Sequence, residues 1–297
     1  MRPPIRSLAV TAVAFVVVAC GGAAPTSIPS SPTSAPPTPV IPTSTPDPGG
    51  ATYWLRMTTW QAIPPQDVFS FTPAALITGD GRYLVPGAVP AIFPGPLVMP
   101  LFSRQLSDAG RKQILGGADE LGLLSGKLDF AGETGLMGGV TGRIELTVDG
   151  RLVTLTGIPE ADGALEPGSP AAFAELWRRI ASLPETLASE LGPEEAYTPA
   201  AYAILVGPPP APQAGIQGSI ADWPLETPLA TFGGPVLDGS YRCGLVDGED
   251  AAALRPALEN ATQLTQWVQD PETSAAFGLT VRPIVAGENP CAEVFGF

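Results

Sequence analysis

The 297 residues of this chain include no histidine. Any catalysis or ligand binding must therefore use carboxylates, hydroxyls and a few basic side chains. The absence of histidine excludes Ser-His and Cys-His nucleophile pairs, histidine general bases and histidine-ligated zinc. The sequence also contains no nucleophile-elbow, phosphate-loop, dinucleotide-binding or EF-hand motif. We therefore expect no cofactor and no metal, and the sequence leans against enzymatic activity while leaving it open.

Two acidic groups are the remaining candidates for catalysis or metal binding. The denser group is Asp247, Glu249 and Asp250, and carboxylates are the ligands that calcium prefers and the pair that a glycosidase uses. The second group is Glu194-Glu195, close to a tyrosine. A turn followed by a favourable helix dipole explains the first group, and surface solvation explains the second. We therefore predict no site at either group.

Aromatic side chains concentrate near the start of the predicted folded region, next to an apolar segment between Pro86 and Phe102 that four further prolines interrupt. Proline disfavours both helix and central strand, so we expect an extended loop wrapped over the core. If the loop is partly exposed, Phe93 and Phe102 are the predicted binding residues for a partner, because exposed apolar patches usually mark contacts. The alternative is an ordinary core built from aromatic residues in strands.

The first 19 residues have the pattern of an export signal. Two arginines precede an apolar run, residues 8–19, whose length of about 12 residues falls short of the roughly 20 that a membrane-spanning helix needs. The end of this run, Val17-Val18-Ala19-Cys20, resembles the lipobox of bacterial lipoproteins. The resemblance implies cleavage before Cys20 and lipidation of its sulfur, and two acyl chains hold a protein stably at a membrane. An ordinary cleaved signal with an incidental cysteine is the alternative.

Residues 20–50 follow the signal peptide and consist almost wholly of Ser, Thr, Pro, Ala and Gly. This composition provides no apolar face, so we expect a disordered proline-rich linker behind the lipidated Cys20.

The net charge of −14 argues against nucleic acid as a partner and against electrostatic docking to anionic lipid, since both need clustered Lys and Arg.

The remaining residues predict an α+β fold of two small lobes, residues 51–198 and 199–297, built from antiparallel hairpins and helices. Asp-Gly pairs at residues 80–81 and 149–150 predict two-residue hairpin turns. Around the second pair, the alternation of apolar residues places Ile144 opposite Leu155. Ser107 and Ser169 precede apolar residues at helical spacing and predict helix N-caps.

In the second lobe we expect strands at residues 201–206, 241–246 and 279–285, and a helix at residues 249–268. Cys243 and Cys291 form an even pair in a chain that we expect to be exported, and the simplest interpretation is a disulfide.

The folded part of the chain is similar to a group of uncharacterised bacterial lipoproteins. The similarity lies in residues 75–82 and 105–110, the pair Arg242-Cys243, residues 248–267 and the late Cys291. This resemblance spans most of the folded part. It implies an anchored, surface-facing location and a Cys243–Cys291 pair, and it carries no activity, ligand or catalytic residue.

We therefore expect a lipid-anchored extracytoplasmic protein at the cell membrane that acts as a binding or interaction module. Its expected partners are the membrane, through the lipid on Cys20, and a protein or cell-wall component, but not nucleic acid. One alternative is a carboxylate-dependent hydrolase of the cell envelope. Another is a solute-binding receptor, although that class normally uses parallel sheets and the hairpins here favour antiparallel ones.

Overall fold

The structure of the chain is a computed structural model that describes residues 53–61, 63–89, 91–131, 140–269 and 275–296. The predicted signal peptide at residues 1–19, the lipidation site Cys20 and the predicted linker at residues 20–50 lie outside the described residues and stay predictions. Within the described ranges, no helix combines the length and the apolar character needed to cross a membrane.

An eight-stranded sheet forms the larger half of the described fold. Its strands are β1 (Tyr53–Trp60), β2 (Ala75–Thr78), β3 (Arg82–Pro86), β4 (Leu101–Gln105), β5 (Lys127–Asp129), β6 (Thr141–Val148), β7 (Arg151–Gly157) and β8 (Glu195–Tyr197). In space they follow the order β5-β7-β6-β1-β2-β3-β4-β8. Neighbouring strands are antiparallel except for β5 and β7, which are parallel. β1, the first strand among the described residues, is therefore an interior strand of this sheet.

The hairpin β6–β7 has the predicted register. Asp149 and Gly150 form its turn with φ values of 48° and 74°, the positive values that this pair tolerates. Ile144 lies opposite Leu155, and the register continues without a bulge along the rest of the hairpin. A hairpin also joins β2 to β3, but its turn has three residues, Gly79-Asp80-Gly81, of which only Gly81 has a positive φ, 91°. The Asp-Gly pairs therefore predicted both hairpins, whereas the two-residue turn predicted at residues 80–81 is wrong.

Helices cover one face of the eight-stranded sheet. The helices of this half are α1 (Pro65–Val68), α2 (Asp108–Glu120), α3 (Pro170–Ala181) and α4 (Leu183–Thr186). Both predicted N-caps are confirmed, because the Ser107 hydroxyl accepts from the Gly110 N–H and the Ser169 hydroxyl accepts from the Ala172 N–H. The apolar sides of α2 and α3 pack on the apolar side chains of β1, β2, β6 and β7 to form the larger core.

The remaining strands form a four-stranded antiparallel sheet and a separate two-stranded parallel pair. They are β9 (Ala201–Gly207), β10 (Ile220–Asp222), β11 (Gly234–Val236), β12 (Tyr241–Asp247), β13 (Gln266–Val268) and β14 (Gly278–Pro283). The four-stranded sheet has the order β11-β12-β9-β14, and β10 pairs with β13. Helix α5 (Gly248–Glu259) packs Leu254 and Leu258 onto one face of the four-stranded sheet, against residues such as Ile204.

The helix predicted over residues 249–268 is wrong in its second half, because α5 ends at Glu259. A turn follows, in which the Thr262 N–H donates to the Thr265 hydroxyl oxygen at 2.8 Å. Trp267 then lies fully buried in β13. The apolar spacing that resembled one long helix is produced by a helix, a turn and a buried strand.

The C-terminal segment after β14 lies between the two larger sheets and includes helix α6 (Pro290–Phe295). On one side, Val285 packs on the face of the eight-stranded sheet that α2 and α3 leave free, next to Leu84. On the other side, Cys291 is buried with Leu205 of the four-stranded sheet. We call residues 284–296 the C-terminal tail.

The described elements form an α+β fold with two packed sheets, which confirms the predicted fold class. The eight-stranded sheet ends along the chain at Tyr197, and the four-stranded sheet begins at Ala201. The described residues from Tyr53 to Gly296 form one compact unit, and the C-terminal tail contacts both sheets. The exact domain boundary after residue 198 stays a prediction.

Cys243 in β12 and Cys291 in α6 form a disulfide with an S–S distance of 2.00 Å, which confirms the predicted pair. The two cysteines are 48 residues apart in the sequence. The disulfide attaches the C-terminal tail to the four-stranded sheet.

We expect reduction of this disulfide to lower the free energy of unfolding by about 4 kcal/mol, because the cross-link restricts the unfolded chain over a loop of this length. Urea unfolding with and without reductant measures the change. The control is the double variant Cys243→Ala/Cys291→Ala, which should be insensitive to reductant. A comparable effect of reductant on this variant would contradict the assignment.

Candidate functional site

The segment between β3 and β4 has no polar side chain from Leu84 to Phe102. Two contacts fix its base. The Gly87 N–H donates to the Pro100 carbonyl at 2.8 Å and closes the loop where it leaves the sheet. Leu97 and Val98 pack on the core of the four-stranded sheet. The segment is therefore the loop wrapped over the core that the prolines predicted.

Backbone hydrogen bonds attach the second half of this loop to the turn after α5. The Leu97 N–H donates to the Ala261 carbonyl at 3.0 Å, and the Gln263 N–H donates to the Gly95 carbonyl at 3.1 Å. The loop therefore starts in the larger sheet and is held by the smaller half of the fold. Its position depends on both halves.

The first half of the loop projects into solvent. Residues 88, 89 and 91–93, which we call the apolar tip, are all exposed. Ile92 is 69% exposed and Phe93 is 50% exposed. A fixed base and an exposed, wholly apolar end make the tip a preorganised apolar surface, and such patches usually mark contacts.

The two predicted binding residues have different positions. Phe93 lies in the apolar tip, whereas Phe102 lies in β4 and is only partly exposed. The Phe102 ring lies directly over Gly87, where a Cβ atom would collide with it. Phe102 therefore supports the base of the loop, and Phe93 is the residue of the pair that a partner can reach.

The acidic groups of the sequence lie at the surface. Asp247 occupies the N-cap position of α5, and Glu249 and Asp250 lie in its first turn, all three exposed. Glu194 and Glu195 are also exposed, at the start of β8. Among the described residues, no group of three or more acidic or cysteine side chains is positioned to hold a metal ion.

A cluster of charged side chains that the sequence did not predict joins the eight-stranded sheet to the C-terminal tail. Its centre is Arg56 of β1. One of its terminal nitrogens lies 3.2 Å from a Glu288 carboxylate oxygen and 2.5 Å from a Glu293 carboxylate oxygen. Glu145, the cross-strand neighbour of Arg56 on β6, lies 3.8 Å away. Arg282 of β14 donates to the same Glu288 oxygen at 2.5 Å. We call these five residues the Arg56 cluster.

Glu288 is the most buried member of the Arg56 cluster, with a side-chain exposure of 0%. Burial raises the pKa of its carboxyl, because the charged form loses its hydration, and the Arg282 and Arg56 guanidinium groups oppose this increase. Burial lowers the pKa of Arg56, but the three carboxylates around it outweigh burial, so its pKa is above the usual value. Arg56 therefore stays charged, and the ionised form of Glu288 depends on Arg282 and Arg56 for its stabilisation.

The three carboxylates that converge on Arg56 are the arrangement that the hydrolase alternative requires, but their surroundings do not favour catalysis. Glu288 is closed off from solvent, and Glu145 also contacts Arg143 at 2.7 Å. Each of the three acids directs a carboxylate oxygen at an arginine. We conclude that the cluster holds the tail in place.

The chain matches no model of a known protein family, no curated protein and no solved structure. The resemblance to bacterial lipoproteins therefore stays a prediction.

The Arg56 cluster predicts a large loss of stability in Arg56→Met. We expect the free energy of unfolding to fall by about 3 to 5 kcal/mol, because this change leaves buried carboxylates with less compensating charge. The matched control is Arg178→Met, which removes an exposed arginine paired with Glu175, and its cost should be below about 1 kcal/mol. Urea unfolding measures both. Equal effects of the two substitutions would contradict the role of the cluster.

The raised pKa of Glu288 also predicts a pH dependence. Above the usual value of 4.5, the folded state retains a proton that the unfolded state releases. The stabilisation from this group is therefore complete below pH 4.5 and is lost as the pH rises through the folded-state pKa. We expect the unfolding free energy of the wild type minus that of Glu288→Gln to decrease as the pH rises through this window. Urea unfolding over a pH series tests this, and a difference that increases with pH would refute it.

Proposed function

We propose that the chain is a lipid-anchored extracytoplasmic binding module that acts at the cell membrane through its apolar tip. The tip carries this proposal, because it is a wholly apolar, exposed surface with a fixed base. The lipid on Cys20 would tether the module, and the proline-rich linker would let it reach its partner.

The energetic argument rests on what contact with the tip provides. Removing a large apolar side chain such as Ile92 or Phe93 from water contributes about 1.5 to 3 kcal/mol when burial is complete. A partner also gains from the fixed base of the loop, because little backbone entropy is lost on binding. The tip is therefore suited to binding and offers no catalytic group.

We do not propose the hydrolase function, because the acids that converge on Arg56 contact arginines and Glu288 has no exposed surface. We also do not propose a solute receptor. The two larger sheets are antiparallel apart from the β5–β7 pair, whereas receptors of that class are normally built from parallel sheets.

Photocrosslinking on intact cells tests the proposed binding site. When benzoylphenylalanine replaces Phe93, we expect crosslinked adducts, because this position is expected to contact the partner. The matched control places the same group at Leu152, a side chain of β7 with a similar exposure of 53%. Adding Ile92→Asp should remove the adducts formed from position 93. Equal yields from positions 93 and 152 would refute the proposed site.

A further inference from the structure

We infer that the apolar tip inserts shallowly into the surface of a lipid bilayer. This inference rests on the proposed function and names the partner of the same site. The observations that carry it are the chemistry of the tip, the position of Trp60, the point where the linker enters the fold, and the charge of the chain.

The tip has the composition of a bilayer-inserting loop. None of its side chains has a hydrogen-bonding group, and the loop around it includes Pro86, Pro94, Pro96 and Pro100, which have no backbone N–H. Each of these prolines is one backbone donor fewer that must leave water with the loop. Irregular backbone does not enter the hydrocarbon core, so insertion is limited to the interfacial region, with the Ile92 and Phe93 side chains directed inward.

This composition is less suited to a protein partner. Protein interfaces contain about one hydrogen bond per 100 to 200 Å² and depend on anchors such as Tyr and Arg, whose polar groups also pair. The tip offers no polar side chain for such pairs. A bilayer surface requires only apolar area.

Trp60 lies at the same end of the eight-stranded sheet as the apolar tip. It is the last residue of β1, where β1 pairs with Thr141, and the loop begins where Pro86 pairs with Leu101. Because neighbouring strands alternate in direction, these positions share one end of the sheet. The Trp60 side chain is 63% exposed, and tryptophan is enriched where proteins meet the membrane–water interface.

The linker enters the fold at the opposite end of the sheet. Tyr53 begins β1, so the end of the sheet from which the loop leaves lies about 25 Å from that point along the strands. About 30 residues separate Cys20 from Tyr53, with a root-mean-square reach of roughly 30 Å when flexible and up to roughly 90 Å when extended. A chain anchored at Cys20 can therefore place its tip on the same membrane.

Charge determines the lipid class. The chain carries a net charge of −14, and exposed Asp67 lies in the connection that follows Trp60. Anionic headgroups therefore repel the chain at low salt. Insertion should depend on apolar contact and should be strongest on zwitterionic lipid.

Fluorescence quenching of the full-length protein in vesicles tests the inference. The probe is phosphatidylcholine with brominated acyl chains, which quenches tryptophan that enters the bilayer. The other tryptophans are buried or partly buried, and subtracting the signal of Trp60→Phe isolates the Trp60 emission. We expect brominated lipid to remove most of the Trp60 emission in the wild type.

The variant Ile92→Asp/Phe93→Asp should weaken insertion into the bilayer by at least about tenfold and thereby restore the Trp60 emission. The control Leu152→Asp should behave like the wild type. Adding phosphatidylglycerol at low salt should weaken quenching, and salt should restore it.

Absent quenching in the wild type, equal quenching in the tip variant, or quenching that increases with anionic lipid would each overturn the inference. Crosslinking from position 93 to a protein, together with absent quenching, would overturn it while leaving the proposed binding function intact. Absent quenching together with absent crosslinking from position 93 would refute the proposed binding site as well.

Discussion

The burial of Glu288 is the constraint on which the arrangement of the two larger sheets depends. A carboxylate without solvent contact is very costly unless opposite charge surrounds it. Its two arginines come from different places, Arg56 from the eight-stranded sheet and Arg282 from the four-stranded sheet. Both arginines reach Glu288 only when the two sheets lie at the correct distance. Loss of one partner of a buried ion pair is costly, although replacing the whole pair with well-packed apolar residues is often neutral for stability.

The C-terminal tail owes its position to different forces on its two sides. Charge pairing and Val285 hold it against the eight-stranded sheet, while the Cys291 disulfide and a stacked pair of Phe69 and Phe295 hold the other side. Apolar contact alone is not directional, and it would permit the tail to slide. The disulfide and the ion pairs have fixed geometry and remove that freedom. The loop that carries the apolar tip benefits indirectly, because both halves of the fold must be in place to hold its base.

Sequence predicted the local features well. The Asp149-Gly150 turn determined the register of a whole hairpin, and Ser107 and Ser169 marked the beginnings of helices, because these signals act over a few residues. The Arg56 cluster was missed for the opposite reason. Its members are separated by most of the chain, and Glu288 follows a glycine in a segment that resembles an exposed turn. For the candidate site, the prolines predicted an extended apolar loop, but only the fold separates exposed Phe93 from Phe102 at its base.

The position of the tail also affects how the chain is made. Arg56 and Glu293 are 237 residues apart, so a chain synthesised from its N-terminus waits roughly 10 to 50 seconds between producing the two. During that interval Arg56 has no tail carboxylate to pair with, and the surface between the sheets stays open. The C-terminal tail completes the interior between the sheets. A protein built in this way stays incompletely folded until the C-terminal tail has been synthesised.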